Sequence, residues 1–251
     1  MSTRSASGAQ RPRFPRGVWL TAGSVVVLLL AVSARYGFHR DELYFVVAGR
    51  RLDWGYVDQP PLTPLLARIS EAIGGTSPVA LRILPALALG VVVILAAAMA
   101  RRFGGGSRAQ TFAAVTACGA GFALAVGHLL STSTFDYLLW TLAAYLLVRL
   151  LAGADPRWWV ALGLTVGVGL QNKHLMAFLA VAMLIGLVVT PQRKLLADKW
   201  PWVGVGVAAL IALPNFIWQA ANEFPQFEMA TALAERSDGP IAFVLEQIGL
   251  L

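Results

Sequence analysis

Seven apolar runs, each carrying at most one arginine, constrain what this chain can fold into. They are Val18–Ala34, Val79–Ala100, Ala109–Leu130, Tyr137–Leu151, Trp158–Leu170, Leu175–Val189 and Trp202–Trp218. Inside hydrocarbon no water satisfies backbone N–H and C=O groups, so runs of this kind cross a bilayer as helices. About 20 residues span a core of about 30 Å. Only 13% of the residues are charged, against roughly 25% in soluble domains. The expectation is an all-α polytopic membrane protein with about seven transmembrane helices and a partial eighth from Ile241. Eleven apolar residues, 241–251, are too few to cross, so the sequence reads as the N-terminal portion of a longer protein.

Charge sets the orientation. Residues 1–17 form a basic tail with Arg4, Arg11, Arg13 and Arg16, expected to be disordered and cytoplasmic. The transmembrane domain is 18–251. Tail, apolar core and Val32-Ser33-Ala34 also fit a cleaved signal peptide, but the many later spans favour an uncleaved first helix. With the N-terminus inside, twelve of the 20 Lys and Arg fall on the inner side, as cytoplasmic loops prefer. The net charge of +7 is accounted for by these loops and by anionic head groups, and calls for no nucleic acid. The single cysteine, Cys118, cannot form an internal disulfide.

On the outer side this topology places the loop 35–78, the connector Ser131–Asp136, the break Gln171-Asn172-Lys173-His174 and the stretch 221–240. The long loop is expected to hold two short helices. Asp41 is placed to N-cap one running to about Leu52. Leu62, Leu65, Leu66, Ile69 and Ile73 recur at helical spacing, so the second lies along the interface and ends at Gly74-Gly75.

Several outer residues can carry chemistry. Asp41 and Glu42 sit at a helix start beside the membrane. They read either as a capping pair or as a general base for an acceptor hydroxyl. Asp58 is stiffened by Pro60-Pro61, and reads as a turn residue or a second acid. Asp136 is an N-cap or an interfacial functional carboxylate. Lys173 binds a phosphate or snorkels. Arg40, Arg50, Arg51 and Arg82 are outer cations able to grip a lipid phosphate or face solvent. Trp54 and Tyr56 belong to the aromatic belt or stack on a sugar. No phosphate loop, dinucleotide fingerprint or zinc spacing is present. Nothing requires a cofactor, although close carboxylates are able to hold a divalent metal. The rival class is a transporter with a discontinuous helix at 171–174. Transporters place charge near mid-span, whereas here it clusters at the outer face. An inactive fragment of a transferase is the third reading.

Arg40-Asp41-Glu42-Leu43-Tyr44 followed by Gly55-Tyr56-Val57-Asp58-Gln59-Pro60-Pro61-Leu62 resembles the first outer loop of bacterial glycosyltransferase family 39. That group comprises the dolichyl-phosphate-mannose–protein mannosyltransferases and the aminoarabinose lipid A transferases, with the GT-C membrane fold. The likeness continues through Thr134-Phe135-Asp136-Tyr137, Gln171-Asn172-Lys173 and Leu213-Pro214-Asn215-Phe216-Ile217-Trp218. It implies a plasma-membrane glycosyltransferase that takes a sugar from a polyprenyl-phosphate donor at the outer face. The acceptor would be a glycan, lipid or protein, and membrane lipids surround the enzyme. It implies catalytic roles for Asp41, Glu42, Asp58 and Asp136, with inversion by an Asp base. Donor-phosphate contacts would come from Lys173, Arg40 and Gln59. Gln59 stands where the aminoarabinose transferases commonly carry lysine. Substrate contacts would come from Tyr44, Trp54, Tyr56 and His174.

Overall fold

The computed structural model describes residues 13–235. The first twelve residues of the basic tail and the apolar segment from Ile241 lie outside the described residues. All described elements are helical: α1 (Arg16–Val32), α2 (Arg40–Gly49), α3 (Leu62–Gly74), α4 (Pro78–Arg102), α5 (Ser107–Gly119), α6 (Gly121–His128), α7 (Thr132–Leu151), α8 (Trp158–Leu170), α9 (Leu175–Val188), a 3-10 segment (Pro191–Ala197), α10 (Lys199–Ala221) and α11 (Pro225–Glu235).

Three of these, α4, α7 and α10, are each long and apolar enough to cross a membrane, and two bent pairs raise the number to five. The all-α polytopic architecture holds, but the seven runs are not seven equal spans. The third run breaks at Ala120, which is extended between Gly119 and Gly121, and α5 and α6 meet at 63°. The sixth turns by 108° into the 3-10 segment, because Thr190 precedes a proline that disfavours helical backbone there. α1 and α8 are shorter apolar helices of 17 and 13 residues.

α4 is the hub. It packs on α1, α5, α6 and α7, and α7 hands over to α8, which lies against α10. Small residues let α8 and α10 touch backbone to backbone. A Cβ built on Gly163 would strike the Gly204 carbonyl, and one on Gly167 would meet Ala208. Without a hydrophobic driving force between helices in lipid, this close approach supplies the packing energy. One core joins α1, α4, α5 and α6 through Val25, Leu29, Leu89 and Val93. Another pins the loop helices onto the bundle through Phe45, Val46, Ala67, Leu81 and Phe135.

Inside the long loop, α3 matches expectation, ending at Gly75 with φ of 71°, a left-handed conformation that glycine adopts without strain. α2 does not match in detail: it begins two residues earlier, at Arg40, and stops at Gly49. Its N-cap is His39, not Asp41. His39 Nδ1 accepts from the Asp41 N–H at 3.3 Å, and Glu42 Oε2 accepts from the His39 N–H at 2.9 Å. This reciprocal capping box satisfies two N–H groups at once. At the far end the Tyr56 hydroxyl lies 3.0 Å from the carbonyls of Ala48, in the last turn of α2, and Arg51, just beyond it. The predicted connector before α7 is likewise shorter. Ser131 caps the helix by accepting from the Thr134 N–H at 3.3 Å, so Asp136 stands in the second turn and is no cap.

Candidate active site

The four polar places expected on one side meet at one end of the bundle. They enclose a cavity of about 550 Å³. Asp41, Tyr44, Asp58 and Gln59 come from the long loop, and Lys173 and His174 from the break between α8 and α9. Thr132 and Asn172 add polar surface, and α11 covers one side with Met229, Ala230 and Leu233. With Leu175 and Phe178 of α9, these apolar residues give the cavity a greasy flank beside a charged floor.

The break at 171–174 is the keystone. Asn172 is fully buried. It accepts from the Thr63 hydroxyl at 2.8 Å and donates to the Thr132 carbonyl at 2.8 Å, so one amide ties α3 to α7. The Leu62 N–H donates to the Gln171 carbonyl at 2.9 Å, and the Gln171 amide donates to Ile211 of α10. His174 Nε2 lies 3.0 Å from Asn215 Oδ1, and the Asn215 amide donates to the Trp54 carbonyl at 2.8 Å. That second bond orients the amide, so His174 Nε2 is the donor in its pair. The chain interrupts a helix here because four backbone or side-chain groups replace the lost ladder.

Asp41 is half-exposed. Its nearest side-chain neighbours are the Arg40 Nε at 3.2 Å and the His39 ring at 3.7 Å. Arg40 itself points into solvent, 89% exposed, and is no wall of the cavity. Asp58 is exposed and accepts from the Tyr44 hydroxyl at 2.6 Å. Burial, and then the Asp58 carboxylate beside it, push the Tyr44 phenol well above its ordinary value, so it stays protonated and remains a donor. Gln59 is buried, and its amide nitrogen has no hydrogen-bond partner. Asp136 lies behind this wall, with Oδ1 buried. It interacts with the Trp140 indole and with the charge of Lys173.

Other expected residues sit elsewhere. Glu42 is fully buried in an ion pair with Arg82, Oε2 to Nη2 at 2.7 Å, and has no open face toward the cavity. Arg82 is 1% exposed, so it cannot grip a lipid phosphate. Arg50 is spent on Glu71. The Tyr56 hydroxyl closes α2, and its carbonyl accepts from Gln226 at 3.0 Å. Burial raises its phenol too. Trp54 lines a neighbouring hollow of about 570 Å³ with Leu52, Leu65 and Ile211. Among the described residues no three His, Cys, Asp or Glu side chains come close enough to hold a metal ion.

Sequence reasoning missed Thr63, Asn172 and Asn215 as parts of the site. Their signal was faint: each is a polar residue in or beside an apolar run. A family model described as dolichyl-phosphate-mannose-protein mannosyltransferase matches residues 58–218. That stretch begins at Asp58 and takes in Asp136, Lys173 and His174, while Asp41 and Tyr44 precede it. No curated protein matches the chain.

Proposed function

The chain belongs to the dolichyl-phosphate-mannose-protein mannosyltransferase family and is a membrane glycosyltransferase of the GT-C type; on that premise we propose that it moves a sugar from a polyprenyl-phosphate donor to an acceptor hydroxyl, with inversion. The observation that carries this reading is the double character of the cavity. Carboxylates Asp41 and Asp58 and the cation Lys173 share one space with the apolar faces of Phe178, Met229 and Leu233. A donor with a phosphate head and a prenyl tail needs both surfaces at once.

Asp41 is the general base. Its half-exposed carboxylate takes the proton of the acceptor hydroxyl as that oxygen attacks the anomeric carbon. The bond from the anomeric carbon to the phosphate oxygen breaks with its electron pair, and polyprenyl phosphate leaves as the anion. Lys173 stabilises the charge growing on that phosphate. Asp58, held by Tyr44, is set to bind sugar hydroxyls, with Gln59 and His174 adding neutral hydrogen bonds. The acceptor is a glycan, lipid or protein. The bias of Lys and Arg toward one set of short loops supports a cytoplasmic N-terminus and a cavity at the outer face of the plasma membrane.

The test is lipid extraction from cells with and without the protein. Loss of the protein is expected to leave a polyprenyl-phosphate sugar accumulated, and the transferred sugar is expected to carry the opposite anomeric configuration. No accumulation together with unchanged glycans, or a product of retained configuration, would overturn the reading.

A further inference from the structure

Glu42 and Arg82 form a buried ion pair whose hydrogen-bonding groups are all satisfied. The carboxylate receives four donors. Oε1 accepts from Arg82 Nε at 2.9 Å and from the Leu130 N–H at 3.4 Å. Oε2 accepts from Arg82 Nη2 at 2.7 Å and from the His39 N–H at 2.9 Å. The guanidinium is equally spent. Beyond Glu42 it donates to the carbonyls of Ser33, Tyr36 (3.4 Å) and Gly37 (2.8 Å), which accounts for all five of its N–H bonds. The Tyr36 ring lies under it at 4.1 Å and meets His128 at 5.2 Å. Both side chains are out of solvent, 0% and 1% exposed.

A buried ion pair is not in itself a strong source of stability, since desolvation offsets most of the attraction. What this pair does have is reach. Through His39 it fixes the cap of α2, and the next backbone N–H on that cap is that of Asp41. Through Leu130 it fixes the entry to α7, where the Thr132 carbonyl receives Asn172, the neighbour of Lys173. One carboxylate therefore bonds a backbone N–H beside each wall, that of His39 two residues before Asp41 and that of Leu130 two residues before Thr132.

We infer that Arg82 and Glu42 are positioning residues for the transfer step: the pair sets where the Asp41 carboxylate stands relative to the Lys173 wall. This rests on Asp41 being the base. Misplacing a reacting group by about 1 Å costs about 100-fold in rate, so geometry of this kind acts on kcat. Donor affinity, which comes from Lys173 and the apolar flank, is left alone.

The experiment uses the full chain in proteoliposomes, dolichyl-phosphate mannose as donor and a Ser/Thr-containing peptide as acceptor, with rates per folded molecule. Arg82→Lys keeps the buried charge and loses the fork. The double variant Glu42→Leu with Arg82→Met removes both charges and keeps an apolar filling. Both are expected to lower kcat by ten- to a hundredfold, as order of magnitude, with donor KM within about twofold. Wild-type kcat in the folded double variant would overturn the inference and leave the pair as filling only. A raised KM at unchanged kcat would also overturn it. Asp41→Asn separates the two claims: full activity there removes the base assignment, whereas an inactive Asp41→Asn with an active double variant removes only the positioning role.

Discussion

The Tyr44 hydroxyl and the Asp58 carboxylate, 14 residues apart in sequence, meet at 2.6 Å inside the cavity. The bond joins α2 to the proline-stiffened segment and leaves the second carboxylate oxygen free for a ligand. Burial and the neighbouring Asp58 hold the phenol protonated. Its native pKa lies above the ordinary value near 10, so its contribution is complete below pH 10 and is lost only as pH rises beyond that. Tyr44→Phe is therefore expected to lower kcat/KM for the donor by about tenfold, in line with the loss of a hydrogen bond to a charged group. The shape of the pH–rate profile up to pH 10 stays unchanged. An alkaline limb below pH 10 that disappears in Tyr44→Phe would contradict this.

Glu71 predicts a response to acid. Arg50, and after it Thr76, hold its carboxyl down to about 2, against about 4.3 for a free glutamate. A depressed acid stabilises the fold above its unfolded pKa and loses that contribution as pH falls through the native one. The protection of amides in α2 and α3 against hydrogen exchange, taken relative to the intrinsic rate at each pH, is expected to fall as pH drops from about 4.5 toward 2. Glu71→Gln should exchange faster at neutral pH and show no such acid step.

Asn172 should behave as a keystone. Asn172→Ala leaves the buried Thr63 hydroxyl without its acceptor and takes the cross-helix donor from the Thr132 carbonyl, which keeps its place in the α7 ladder. The orphaned hydroxyl costs about 1–3 kcal/mol. Thermal unfolding in detergent is expected to shift down accordingly. Donor KM should rise as well, because Lys173 is carried on the same break. An unchanged KM in the folded variant would separate the lysine from the donor.

The α8–α10 crossing predicts a sharp positional contrast. Gly163→Val forces a branched side chain against the Gly204 backbone and should cost about 1–3 kcal/mol or more. At Gly206 nothing lies within 4 Å of a Cβ, so Gly206→Ala should leave the melting temperature unchanged. Equal effects at the two sites would rule out the close crossing.

The membrane architecture was legible because long apolar runs have few alternative fates. Their division was not, since a break such as Ala120 between two glycines differs little in composition from an unbroken helix. The grouping of the polar places at one end of the bundle was legible from the alternation of the runs, which put the first loop and the break at Lys173 on one side. Local rules failed where long-range partners decide. Asp41 is the better N-cap by residue type, yet His39 takes the place because Glu42, three residues on, is anchored by Arg82, 40 residues away. The same pair removes Glu42 and Arg82 from the solvent-facing roles their positions suggested. Tyr56 reads in sequence as aromatic belt or sugar platform, and neither reading foretells that its hydroxyl bonds the Ala48 and Arg51 carbonyls.

The central claim is that Asp41 is the base. Its most direct test is single-turnover transfer from dolichyl-phosphate mannose by Asp41→Asn in proteoliposomes, alongside the wild-type chain, with donor binding measured separately. The account predicts a loss of at least about 100-fold in the chemical step and donor affinity within about twofold. Wild-type turnover in a folded Asp41→Asn chain would contradict it.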